Sequence, residues 1–379
     1  MRKSVSITLF SLLVLFISCS DKRSAPGKAG QSRSGTTVVY YAQGFEIENY
    51  TDYKVVKIKN PWNPQKTVQN YVLVPRTQAL PEQLPDGILL RTPLQKTVAF
   101  SAVVCGMLDE LNVLSTLVGV AESQYIAIPS VQASVANGAV RDVGQASNPN
   151  IEQLMWIEPE AIFINPVNES SIGTLAKLSV PAIPCLEWKE THPLGQAEWI
   201  RVIGLLFDKQ ALADSLFFVA MSAYNDLKAQ TDAVAHRPTV FAEKKHGDFW
   251  YMPGGKSYFA HLLEDAGADY LFKDNEQTGS ISYAFEQILD RAAKADYWLF
   301  KYYSPQDANY KQLADEYANY ALFDAYRKRH IYVCNTLKTA HYYHELPLHP
   351  DWVLKDLIRI FHPELLPEYR ARYYFLMKD

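Results

Sequence analysis

The chain has 379 residues, 48% of them apolar and 21% charged, with a formal net charge of −4. That length exceeds one ordinary core and fits two lobes with a short extension. The charge excludes a nucleic-acid binder of the phosphate-neutralising kind, which needs clustered Lys and Arg, while 24 Tyr and 7 Trp supply amphipathic rings for core, rim or a flat ligand.

Residues 1–19 have a basic start, Arg2-Lys3, and an apolar run from Val5 to Ile17. The run is short for a membrane span and has the form of a secretion signal. Ser18-Cys19 then reads as a bacterial lipobox, with Cys19 as the acylated residue; Phe16 stands where a smaller aliphatic is usual. A plain signal peptide or a buried thiol is the competing reading. Residues 20–36 are polar and Gly/Ser-rich, the composition of a flexible tether. The expected location is the periplasm or cell envelope, anchored to a membrane. The remaining Cys105, Cys185 and Cys334 cannot all pair within one chain, and their apolar neighbours point to inert buried thiols.

Short alternating runs over 37–75 (TTVVYY, YKVVKI, NYVLV) predict a small β extension, with a lead-in to residue 90. From 91 to 193 strands alternate with helices: KTVAFS, LVGVAE, AIFIN and VPAIPCLE are strands, and VCGMLDELNVL and IEQLMWI are helices. Such alternation implies βαβ units and a mainly parallel sheet. Residues 194–236 break it. LGQAEWIRVIGLLF reads as one amphipathic helix, and from Lys209 a run of more than six turns carries no Gly or Pro. At ~1.5 Å per residue it is roughly 35 Å long, the span of a domain, and its mid-chain position predicts an interlobe strut. From 237 to 379 the α/β rhythm restarts with TVFAEK, DYLF, DYWLFKYY and HIYVCN as strands, and it closes on the helix DWVLKDLIRIFH.

Two segments echo each other. Asn150-Ile151-Glu152-Gln153-Leu154 and Phe285-Glu286-Gln287-Ile288 each open a helix that leads to an acid and an apolar strand. Asn150 can cap its helix. Both glutamates fall in a first turn, where the helix dipole favours a carboxylate. By spacing alone they are dipole complements.

Residues 96–190 resemble the periplasmic binding proteins for ferric siderophores, haem and vitamin B12. The resemblance rests on TVAFSAVVCGMLDELNVLSTLVGVAES, VRDVGQASNPNIEQLMWIEPEAIFI and VPAIPCLEW, and more loosely on WYMPGGKSYFAHLLEDAGADYLF in the second half. It implies the class III fold: two Rossmann-like α/β lobes joined by one long helix, with the ligand between them and the β extension outside the common pattern. It also implies an importer component. An ABC permease with its ATPase is the partner, the protein is a monomer, and Glu152 and Glu286 dock against permease arginines.

Ligands of such folds meet the ends of strands at a cleft. The candidates are Ser101, Glu122, Ser123 and Tyr125 in the first lobe and Trp188 and His192 at the crossover. The second lobe offers Lys245, His246, Trp250 and Tyr251, then Lys301, Tyr302 and Tyr303, then His341, Tyr342, Tyr343 and His344. Phenolate and imidazole suit haem iron; rim packing is the competing reading for each. No G-x-S-x-G, H-E-x-x-H or P-loop is present, so no enzyme is expected. No resident cofactor is expected, only a transported iron chelate, haem or cobalamin. A zinc or manganese site from His341, His344, His246 and an acid is an alternative, as is a lipid-anchored scavenger without a permease.

Overall fold

The computed structural model describes residues 33–63, 65–172, 179–338 and 342–379. The leader, Cys19, most of the tether and His341 lie outside the described residues. The first sheet runs, in spatial order, β1 (Arg33–Thr36), β2 (Phe45–Tyr50), β3 (Lys54–Lys59), β4 (Thr67–Pro75) and β5 (Ile88–Thr92). It is antiparallel except that β5 returns parallel to β4. The predicted extension is therefore a sheet, but it begins inside the expected tether, at Arg33, and ends at Thr92. Phe45 faces Ile58, and Ile47 faces Val56, which faces Tyr71. With period two, these residues and Leu73 share one face and join the core of the first lobe. Tyr53, Val55, Val72 and Val74 form a separate small cluster.

The first lobe contains β6 (Thr97–Ala99), α1 (Ala102–Glu110), β7 (Leu117–Val120), α2 (Pro129–Ala136) and β8 (Arg141–Asp142). A minimal ladder, β9 (Gly144–Gln145) with β10 (Asn148–Pro149), precedes α3 (Ile151–Ile157), β11 (Ala161–Ile164), α4 (Glu169–Ile172) and β12 (Ala182–Pro184). The sheet order is β12-β11-β6-β7-β8, all parallel. Helices cover both faces, so β11 is buried along its whole length rather than alternating.

The segment read as one amphipathic helix is two: α5 (Pro193–Glu198) and α6 (Ile200–Leu206), broken at Trp199. Every residue of both is buried, because they are enclosed by the extension, the first lobe, the strut and, on the α5 side through Leu194, the second lobe's α8 and α13. The charged residues on and beside them, Glu190, Glu198 and Arg201, are paired internally. Glu198 accepts from the backbone N–H groups of Tyr40, Tyr41 and Ala42 and from Arg201 Nη1 at 2.7 Å. Glu190 accepts from Gln43 N, Gly44 N and Trp199 Nε1. Residues 38–44 thus form a strap pinned onto the crossover. The strut itself is α7 (Gln210–Thr231), 22 residues long. Ala213 and Phe217 belong to the first lobe's core, and Tyr224 and Leu227 to the second's.

The second lobe contains β13 (Thr239–Ala242), β14 (Lys245–His246), β15 (Phe249–Pro253), α8 (Tyr258–Asp265), β16 (Asp269–Tyr270), β17 (Ser280–Tyr283), α9 (Phe285–Ala292) and β18 (Tyr297–Tyr302). There follow α10 (Tyr310–Glu316), α11 (Asp324–Arg327), β19 (Ile331–Asn335), α12 (Tyr342–Glu345), α13 (Pro350–Phe361) and β20 (Phe375–Leu376). The main sheet is β16-β13-β18-β19-β20, parallel but for β20. A second, antiparallel sheet β14-β15-β17 was not anticipated from periodicity.

Candidate functional site: the cleft between the lobes

The parallel strands of each lobe end facing the same gap. On the first lobe Phe100 follows β6, Glu122 follows β7, Asn165 follows β11 and Trp188 follows β12. These residues line a hollow of about 540 Å³ with Ser147, Pro149, Val167 and Ser171. On the second lobe Glu243–His246 follow β13 and, with Tyr251, Ser280 and Lys301, line a hollow of about 450 Å³. Tyr302 and Tyr303 line its neighbour of about 360 Å³. Tyr125 and Tyr303 meet edge to face across the gap, ring centres 6.4 Å apart. Both are more than half exposed.

One glutamate on each lobe has a left-handed backbone at its strand end: Glu122 at φ 51° and Glu243 at φ 59°. That conformation costs a non-glycine residue about 1 kcal/mol, a strain found where a side chain must be aimed. Glu243 accepts from Lys301 Nζ, which also sits 4.6 Å above the Phe259 ring. Burial works against the charge on Lys301, but Glu243, Tyr374 and Tyr258 outweigh it and hold the ammonium's pKa well above its ordinary value. Lys244 is paired with Glu316. Lys245 lies 5.2 Å over the Tyr317 ring.

The structure brings Glu122, Trp188, Lys245, His246, Tyr251, Lys301, Tyr302 and Tyr303 to hollows that face the gap. Tyr343 is 51% exposed, with Lys301 and Glu243 near its phenol. Several candidates go elsewhere. Trp250 is fully buried. Its Nε1 donates to Ala242 O at 2.9 Å, and its ring packs on Phe241, Trp298 and Tyr320. The reason is strand phase: β15 turns Trp250 and Met252 inward and Phe249 and Tyr251 outward. Tyr342 is also fully buried, against Tyr373 and Tyr374. His344 is buried where α12 crosses α1, close enough to Gly106 that a Cβ there would come within 2.9 Å of the His344 carbonyl. Ser101 is nearly buried, its hydroxyl engaged in capping α1 through Val103 N. Ser123 uses its backbone N–H on Asp142.

His192 caps α5 through Nδ1, which accepts from Leu194 N at 3.1 Å, and stacks on Tyr41. An accepting Nδ1 must be unprotonated, in keeping with burial pushing this imidazole down to about 4.

Sequence reasoning missed Asn165, Ser147, Ser171, Lys244, Glu243 and Glu316. Asn165 and Glu243 sit at ends of strands that had been recognised, so the strand-end rule reaches them.

The echoed helices match in placement and differ in caps. Asn150 Oδ1 accepts from Gln153 N at 3.0 Å at the start of α3. At α9 the opposite half of the box forms, Ala284 N donating to Gln287 Oε1 at 2.9 Å. Glu152 and Glu286 are both exposed in their first turns.

A family model described as "Periplasmic binding protein" matches residues 98–336, spanning both lobes and the strut. The chain belongs to the periplasmic binding protein family. Its members bind solutes rather than transform them. This periplasmic binding protein is 25% identical over 366 residues to an uncharacterised lipoprotein of Methanocaldococcus jannaschii, covering 90% of this chain and 85% of that one. Among solved structures it is similar to IsdE of S. aureus complexed with heme (TM-score 0.57, 18% identity, 70% of this chain and 98% of that chain). It is also similar to the vitamin B12 binding protein BtuF of Vibrio cholerae (TM-score 0.54, 11% identity, 73% and 99%). These likenesses establish the class III fold. Both solved chains are matched almost end to end, whereas 27–30% of this one has no counterpart in them. The archaeal lipoprotein leaves only 10% of this chain unmatched, about 38 of 379 residues. That is fewer than residues 33–92 comprise, so the extension is at least partly shared with it.

Proposed function

We propose that this protein is the extracytoplasmic solute-binding component of an ABC importer, held to a membrane by acylated Cys19. It captures an iron chelate (a siderophore or haem) or a corrinoid between its lobes and presents it to a permease through Glu152 and Glu286. The observation that carries this reading is the cleft itself. Strand ends of a periplasmic binding protein converge on paired hollows whose exposed rings, Trp188, Tyr125, Tyr303 and Tyr251, offer faces and edges to a large flat or chelated solute. Lys245 and His246 give the second lobe donors for ligand oxygens, while Glu243 and Glu316 neutralise the two lysines beside them. Among the described residues no three His, Cys, Asp or Glu side chains converge to hold a bare ion. His341, a member of the alternative zinc or manganese site, lies outside the described residues, and His344 lies buried on α1. Among the described residues no helix is long and apolar enough to cross a membrane; the support for acyl attachment is the Ser18-Cys19 junction after a basic and apolar leader.

The test is the absorption spectrum of protein purified from its native host. A Soret, corrin or siderophore charge-transfer band is expected. Protein that carries only zinc or manganese by elemental analysis, and shows no saturable binding of haem, cobalamin or ferric siderophores, would overturn the proposal.

A further inference from the structure

The outer face of the strut carries a patch that the cleft does not explain. Along α7, Ser215, Phe218, Val219 and Ser222 are exposed, and Val219 is 67% so. From Ala211 to Asn225 the helix has one charged residue, Asp214, already paired with Arg201 at 2.7 Å. The strap extends this surface. Tyr40, 51% exposed, meets Phe218 edge to face at 5.5 Å, and Val38, 63% exposed, is fixed beside it because its carbonyl accepts from Arg201 Nη1. Arg201 therefore spends its charge beneath the patch, on Glu198 and Asp214, rather than on its surface. Soluble proteins rarely leave apolar groups clustered in this way without an occupant.

The path of the chain says what the occupant is. Val38 lies five residues after Arg33, where the described chain begins. Residues 20–32 separate Arg33 from Cys19 and can span no more than about 45 Å even fully extended. A chain anchored at Cys19 therefore enters the folded body beside this face, which puts the patch within tether reach of the bilayer. We propose that the hinge-side patch of Val38, Tyr40, Phe218 and Val219 rests on the membrane surface, its rings and aliphatic groups entering the headgroup boundary. This rests on the reading of Cys19 as lipidated. Val38, Tyr40, Phe218 and Val219 carry no charge, so their contact with lipid is an apolar one; Lys22, Arg23, Lys28 and Arg33 of the tether add a salt-sensitive attraction to anionic lipid that neutral vesicles leave out. Single side chains of this kind hold weakly, and the tether supplies the effective concentration.

The experiment uses full-length lipoprotein with Val219→Cys, labelled with an environment-sensitive fluorophore and reconstituted into phosphatidylcholine vesicles. Cys105, Cys185 and Cys334 are buried, so the new thiol reacts alone. A second sample carries the label at the exposed Asp290→Cys on α9. The label at 219 should brighten roughly twofold, shift to the blue and be quenched by headgroup spin-labelled lipid, unchanged in about 0.5 M salt, while the label at 290 does none of these. Tyr40→Ser with Phe218→Ser should abolish the change. A label at 219 that behaves like the one at 290, in protein shown by mass spectrometry to carry its acyl chains, overturns the proposal alone. So does burial of that label in lipid-free protein as concentration rises, which would assign the patch to a second copy. Protein without acyl chains removes the anchoring reading, and the proposal falls with it by a separate readout.

Discussion

Glu187 is 2% exposed, and among the described residues neither of its carboxylate oxygens has a hydrogen-bond partner beyond its own backbone. Burial pushes its carboxyl up to about 7, and Glu190 adds to the effect. The folded protein therefore keeps a proton that the unfolded chain, with an ordinary glutamate, releases near 4.5. Stability falls as pH rises between those values and stays lower above them. Glu187→Gln should remove that slope and make the protein more stable at pH 8 by on the order of 3 kcal/mol. Urea denaturation at pH 5 and pH 8 decides it: equal slopes for the two proteins would mean that Glu187 has a partner in solution. Nothing in the sequence marks this residue, because Leu186-Glu187-Trp188 gives no sign that the turn is enclosed. Trp188, its neighbour, is legible as a cleft residue because it follows a strand. Trp250 is misread for a related reason. FWYMP announces a strand but not its phase, and a slip of one residue exchanges Trp250 for Tyr251.

At the scale of elements, the parallel strands and the strut are visible in the sequence because period and length are local properties. The break at Trp199 and the burial of α5 and α6 are not, since they depend on the strap, some 150 residues away in the chain. KTAHYYHE suggests a row of rings turned to the ligand; over 342–345 it is helical, so successive rings diverge, Tyr342 inward and Tyr343 outward. The two docking candidates stand on matching helices, one per lobe. Their double charge reversal, Glu152→Lys with Glu286→Lys, should leave ligand affinity within about threefold, under ~0.7 kcal/mol. Uptake by cells that carry the matching permease should nevertheless collapse, because on the docking proposal each reversal sets a lysine against a permease cation. Normal uptake by that variant would return both residues to ordinary helix-end charges.

For the whole molecule, the connections between the lobes determine how far they can move. Besides α7, the lobes touch where α12 lies on α1 and where His349 Nε2 meets Glu110 at 3.1 Å. Tyr41 in the strap packs against both cores. A folded chain of this size has a radius of gyration of about 20 Å, and ligand should change it by less than ~1 Å in solution scattering. A closure of several ångströms would show that α7 hinges.

The strap has a further consequence, in the order of events as the chain is made. Its anchors, Glu190 and Glu198, follow it by 146 to 158 positions. At roughly 5–20 residues per second, a ribosome finishes β2 and β3 roughly 7 to 28 seconds before it reaches Trp199, against which Phe45 packs at 5.3 Å. Through that interval Phe45, Ile47 and Ile58 line a face whose cover by α5 and α6 has not been made. The part of the protein made first is thus among the last that can settle. Anything that holds unfolded chains in the cell meets this apolar face before α5 and α6 exist to complete its cover.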